Sequence, residues 1–211
     1  YSLLNYPLDL QPVYMKVYNN IQQLAVFNNA VITIGTFDGV HEGHQQIIEQ
    51  LKTEAASING TPVLITFFPH PKQVVNKLPD SPENESITYT TNKIHLLNTP
   101  EEKYALLHKH GIEHIVVVPF DKSFAEQSAA SYIKNFLVDK FHPHTIIIGY
   151  DHKFRKNREG DYHLLEEEAD KYGFIVKEIP EHVLKNITIS STKIRTALLE
   201  GDIITAEAFL G

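Results

Sequence analysis

Cysteine is absent from this 211-residue chain, which excludes disulfides and thiolate metal sites. Positive charge is scarce: 19 Lys and Arg stand against 26 Asp and Glu, a net charge of −7 that argues against broad nucleic-acid binding. No run of 18 apolar residues exists, so no membrane-spanning helix is expected. A signal-peptide pattern is lacking as well, and a reducing, cytoplasmic setting fits the cysteine-free composition. Methionine occurs once, as Met15; residues 1–14 contain no Lys or Arg and are expected to be leader or cloning residue outside the fold. The common phosphate motifs G-x-x-x-x-G-K-[ST] and G-x-G-x-x-G are missing, and so is the zinc pattern H-E-x-x-H.

What remains is ordinary globular material, 42% hydrophobic, arranged in a β-α-β alternation. Apolar β-branched runs predict strands at 31–34, 63–68, 115–118, 145–148 and 174–179. Helical patterns cover 43–56, 99–111, 125–140, 161–172 and 191–199, with a last short one after Asp202. Thr99-Pro100-Glu101-Glu102 reads as a capping box with proline at the first helical position. Strands apolar on both faces belong to a parallel sheet covered by helices on both sides, so the fold class is a doubly wound, Rossmann-like α/β fold. Residues 71–98 lack strong periodicity and suggest a substrate loop or flap.

Ligands of such sheets bind where strands end and helices begin, and three loops there carry chemistry. In GTFDGVHEGH (35–44), glycines let backbone approach a ligand, and Gly43 sits at a helix start where free N–H groups attract phosphate. His41 and His44, three apart, can meet phosphate oxygens from one side of a turn. The bland alternative is a glycine-rich turn with two surface histidines. In GYDHKFRKNREGD (149–161), Lys153, Arg155, Lys156 and Arg158 gather four cations, fit for a small anion or for solvent. In ISSTKIR (189–195), Ser190, Ser191 and Thr192 read as a helix N-cap, while Lys193 and Arg195 put cations where the helix dipole disfavours them unless an anion is near.

HEGH resembles the HxGH signature of the nucleotidyltransferase superfamily, and ISSTKIR resembles its second signature, ISSTxIR. With TFFPHP (66–71), LLNTPEEKYALLHKHGIEHIVVVPFD (96–121) and GYDHKF…NREGD, residues 15–211 look like the FMN adenylyltransferase (FAD synthetase) module of bacterial bifunctional riboflavin kinase/FAD synthetases. The resemblance implies a nucleotidyltransferase-type fold and the reaction of ATP with FMN to give FAD and pyrophosphate, with Mg²⁺ and without a covalent enzyme intermediate. It implies that His41 and His44 stabilise the α-phosphoryl transition state and that Gly35, Phe37, Asp38 and Gly43 shape their loop. Ser190, Ser191, Thr192 and Arg195 would hold the β- and γ-phosphates. Pro69, His70 and Pro71 would line the flavin side, and Asp151 and Phe154 would flank flavin or the adenylyl end. The chain departs from the family where Asp151-His152 replaces Asn-Phe and Arg155 replaces a glycine. A riboflavin kinase domain would begin just past Gly211. Other acceptors within the superfamily, a non-catalytic nucleotide binder and a metal protein built on the twelve histidines are the competing readings. The last is weakened because His108/His110 and His142/His144 are spaced by two.

Overall fold

The computed structural model describes residues 15–74, 94–149, 162–179 and 189–211. Six strands form one all-parallel sheet: β1 (Lys16–Tyr18), β2 (Val31–Ile34), β3 (Pro62–Phe68), β4 (His114–Pro119), β5 (Thr145–Gly149) and β6 (Ile175–Ile179). Their order is β1-β4-β3-β2-β5-β6. The chain grows outward from β2 in one direction through β3 and β4, then returns to the other side of β2 for β5 and β6. The reversal lies between β2 and β5, registered Val31 to Thr145 and Thr33 to Ile147. That is the switch point of a doubly wound sheet, where two neighbouring strands send their connections to opposite faces and leave a crevice.

Alternation along the strands decides which face each helix covers. Val31, Leu64, Ile115 and Ile147 pack against Ile48, Leu51 and Ala55 of α1 (Glu42–Ser57) and Leu107 of α3 (Pro100–Lys109). Ile32, Ile34, Val63, Ile65, Val116 and Ile146 pack on the other face against a run of short helices and α7 (Tyr162–Tyr172). Burying each such side chain contributes roughly 1.5–3 kcal/mol. A third, small cluster joins Ile194 and Ala197 of α8 (Ser191–Glu200) to Ala206 of α9 (Ile203–Leu210), with Leu97 packed against it.

The predicted strands are all present, with ends shifted by a residue or so. The helix expected at 125–140 is present from Ala129 to Phe141 as one continuous run, α5 (Ala129–Ser131) passing into a π-helical middle (Tyr132–Val138) and α6 (Asp139–Phe141), but its first turn is split off as a separate α4 (Lys122–Glu126). The break is local chemistry. The Asp121 carboxylate accepts from Phe124 N–H and starts the helix early, and the Ser128 hydroxyl accepts from Ser131 N–H and starts a second one. Two elements carried no periodic signal: β1, three residues long at the sheet edge, and α2 (Pro71–Val74). Most of the aperiodic stretch at 71–98 lies outside the described residues. Among the described residues, no helix is long and apolar enough to cross a membrane.

Candidate functional site

The crevice begins where β2 runs out. Gly35 N–H still bonds to Ile65 O, and then the chain turns through Phe37, Gly39 and Val40, all with positive φ (50°, 86° and 40°). Glycine adopts this region readily, whereas a β-branched valine there is strained by about 1–2 kcal/mol. Packing holds it: Phe37 and Val40 are buried in the core beneath α1. A Cβ on Gly39 would come within 2.6 Å of Leu97 Cδ1, and one on Gly35 within 3.0 Å of the Phe37 ring. Both glycines are therefore sites of close approach.

Asp38 is the tether of this loop. It is only 4% exposed. Its Oδ1 accepts from Leu97 N–H at 2.9 Å, its Oδ2 accepts from Arg195 Nη1, and its backbone oxygen accepts from the Ser191 hydroxyl at 2.9 Å. Asn98 adds a bond by accepting from Gly39 N–H at 2.7 Å. One carboxylate thus ties the β2–α1 loop to the segment before α3 and to the start of α8. Each of its two oxygens accepts a protein donor. The anion beside Arg195 in this structure is Asp38.

His41 is the N-cap of α1 but makes no side-chain capping bond. Its ring stacks on that of His44, centroids 3.7 Å apart and 18° from parallel, and the Phe37 ring lies 5.1 Å from His44. A Cβ on Gly43 would sit 3.3 Å from the His41 ring, so the glycine makes room for the stack. The Nδ1 atoms of both histidines are buried without a hydrogen-bond partner among the described residues. Burial lowers the His41 pKa to about 4, against the opposing field of Asp38. Burial also pushes His44 well below its ordinary value, and His41 and Lys103 add to the shift. The pair is therefore neutral at pH 7. Two stacked imidazoles with unused ring nitrogens, at a helix start with open N–H groups, form a receptor for oxyanions.

The third histidine closes the other side. Phe68-Pro69 is a cis peptide leading to His70. His70 Nδ1 accepts from Lys72 N–H at 3.1 Å, which leaves its proton on Nε2. Burial lowers its pKa to about 4, with Lys72, Arg195 and Lys103 adding to the shift and Asp38 opposing it. Pro71 opens α2, and Pro69 is exposed. A cavity runs from Asp38, Thr36 and Lys103 to walls of Phe67, Phe68, His70 and Pro100.

The residues singled out in the sequence fall into groups. His41, His44, Asp38, Ser191 and Arg195 are brought together across as many as 157 positions. Ser190 spends its hydroxyl on Lys193 N–H at 3.3 Å, a plain N-cap, and Thr192 is exposed with its hydroxyl 3.5 Å from Arg195 Nη2. Asp151 and Phe154 lie outside the described residues, as does the cationic stretch around Arg155. Lys103 was missed. It donates to Thr36 O at 3.2 Å and to Thr66 Oγ1 at 3.0 Å inside the cavity. A signal for it exists: a lysine within the first turn or so of a proline-started helix opposes the dipole, as Arg195 does. No group of three or more His, Asp or Glu among the described residues is placed to hold a metal ion.

The FAD synthetase family model matches residues 24–193. A bifunctional riboflavin kinase/FMN adenylyltransferase of Buchnera aphidicola subsp. Schizaphis graminum is 37% identical over 199 residues, covering 93% of this chain and 60% of the relative. The protein of the same name from Escherichia coli K12 is 30% identical over 200 residues, covering 93% and 59%. The chain therefore spans about 60% of the length of these relatives. A crystal structure described as a macrolide-efflux protein from Streptococcus pneumoniae superposes with a TM-score of 0.72 over 94% of this chain and 60% of that one. At 23% identity this likeness concerns the fold alone.

Proposed function

We propose, from the premise that this chain belongs to the FAD synthetase family, that it transfers the adenylyl group of ATP to FMN, giving FAD and pyrophosphate. One observation carries the reading: the stacked, neutral His41–His44 pair, with its unpartnered nitrogens at the open start of α1, sits at the switch point of the sheet. An oxygen of the FMN phosphate attacks the α-phosphorus of ATP in line. The bond from that phosphorus to the oxygen bridging to the β-phosphate breaks, and pyrophosphate leaves with the electron pair. No enzyme nucleophile is needed, which suits a site holding neither cysteine nor an activated serine. Catalysis then consists of positioning and of meeting charge as it develops. His41 and His44 meet the α-phosphoryl oxygens. Gly35, Phe37, Asp38 and Gly43 hold the loop that aims them. Ser190, Ser191, Thr192 and Arg195 are assigned to the β- and γ-phosphates, for which Arg195 would exchange its Asp38 partner for phosphate oxygens. Pro69, His70 and Pro71, with Asp151 and Phe154, are assigned to the flavin side.

Mg²⁺ fits this scheme as part of the nucleotide substrate. In this reading the ion is held chiefly by phosphate oxygens and water, as Mg²⁺ on a triphosphate usually is. The relatives carry a riboflavin kinase activity by name, and a kinase domain in the same polypeptide is the proposed partner. The cytoplasm is the proposed compartment, in keeping with nucleotide substrates and a cysteine-free chain.

Pyrophosphate release with Mg·ATP tests the reading, with FMN, riboflavin or phosphopantetheine as acceptor. Release with FMN alone, matched by FAD, is expected. Release with phosphopantetheine instead would move the chain to another acceptor within the superfamily. Folded protein that binds ATP and releases nothing would sink the transferase reading.

A further inference from the structure

Lys103 is a part-buried ammonium, 5.8 Å from the Tyr104 ring centroid, with a donor left over after its two hydrogen bonds. Two of its three protons go to neutral oxygens, Thr36 O and Thr66 Oγ1, and the Thr66 hydroxyl is itself turned to Thr36 O at 3.1 Å. No carboxylate among the described residues pairs with it. Asp38, whose field it feels, gives its oxygens to Arg195 and Leu97. Burial of this charge, only partly offset by Asp38, lowers its pKa to about 8. A lysine kept only to tie α3 to the ends of β2 and β3 would be better replaced by a neutral donor, because a charge drawn partly out of water and only partly compensated costs stability. Its surroundings give the charge a use. Phe67, Phe68 and Pro100 wall the cavity in which it sits, and its field reaches both His44 and His70. It therefore lines a cavity that joins apolar walls to Asp38, Asn98 and His70, with His44 within reach of its charge.

We propose that Lys103 receives the phosphate of the acceptor and is the residue that separates FMN from riboflavin; the inference rests on the flavin reading above. The attacking phosphate and the triphosphate are both anions and repel as they approach. A cation in this cavity, with Phe67 and Phe68 in its wall and His44 within its field, offsets that repulsion and points the nucleophile. Riboflavin brings an alcohol there, which leaves the ammonium without a counter-ion.

Equilibrium binding of FMN and of riboflavin, read from flavin fluorescence with α,β-methylene-ATP and Mg²⁺ present, tests this at pH 7. The wild type is expected to favour FMN by about tenfold or more, the range of one charge-assisted hydrogen bond. Lys103→Met keeps the stem and removes the charge; FMN should weaken about tenfold while riboflavin stays within about twofold. Lys103→Arg should restore part of the preference. Equal weakening of both flavins, or an unchanged ratio with weaker nucleotide binding, overturns the proposal. Should Lys103→Met fail to fold, the wild type decides. The titratable groups that share a field with Lys103 are Asp38, His44 and His70. Both imidazoles are already neutral at pH 7, and the FMN phosphate, with a second pKa near about 6, is a dianion. The FMN preference should then fall from pH 7 to about 9.5 as Lys103 loses its proton; a flat ratio overturns the proposal. Wild type that binds neither flavin removes the flavin reading and this inference together. Wild type that binds both alike and still makes FAD removes only this inference.

Discussion

Two helices of this protein begin in opposite ways. At α3, Thr99 and Glu102 satisfy each other's backbone donors at 3.2 and 2.8 Å, and Pro100 supplies no donor at all. At α1, the N-cap is a histidine that bonds to none of the free N–H groups, and a second histidine behind it also leaves a buried nitrogen unused. Ser190 and Asp202 cap α8 and α9 as Thr99 caps α3. The open start thus stands out among the long helices whose N-caps are described. A filled cap is complete as it stands. An unfilled one, next to orphaned buried nitrogens at a sheet's switch point, is completed by a ligand.

The largest effect should come from breaking the open start. His41→Ala or His44→Ala should lower kcat by about 10²–10³, the usual loss for one transition-state donor, with thermal stability held or raised because a poorly satisfied buried group is gone. Steady-state pyrophosphate release checks the first half and a melting curve the second. A histidine variant that melts early and keeps its turnover would reverse the assignment.

Acid should sharpen the contrast next. His41 and His70 hold folded-state values of about 4, below their value of about 6.5 in the unfolded chain. Above pH 6.5 both states are neutral and the groups contribute no pH dependence. Between 6.5 and 4 the unfolded chain takes up protons that the folded one refuses, so stability falls as pH falls. The melting temperature should drop across that window, and His70→Gln should flatten the drop. The smallest effect belongs to the closed start. Thr99→Ala should cost about 1 kcal/mol in urea unfolding, and its turnover per folded molecule should fall far less than that of His41→Ala.

Much of the fold was legible in the chain because its signals are local. β2 to β5 are β-branched apolar runs, and the Thr99 capping box needs only four consecutive residues. The helix expected at 125–140 holds from Ala129 onward, and only its split from α4 was hidden, because no glycine or proline marks that break; Ser128 begins a new turn with a hydroxyl that reads as an ordinary helix residue. The site was half legible. His41, Gly43 and His44 announce themselves within four positions. Asp38 was named as a loop-shaping residue, but its grip on Leu97, Ser191 and Arg195 spans separations of 59 to 157 residues. Lys103 was legible only as a cation near a helix start.

Which segments are strands, which carry caps and which loop is rich enough in glycine and histidine to meet a phosphate can be read along the chain. Those properties depend on neighbours a few positions apart. Long-range packing places β2 in the middle of the sheet, so that the ends of β2 and β3 and the starts of α1, α3 and α8 converge on one crevice. The same packing decided the charge of the site. Burial makes the histidines neutral and lowers Lys103 toward pH 8, and a desolvation cost exists only once distant segments have closed over the group.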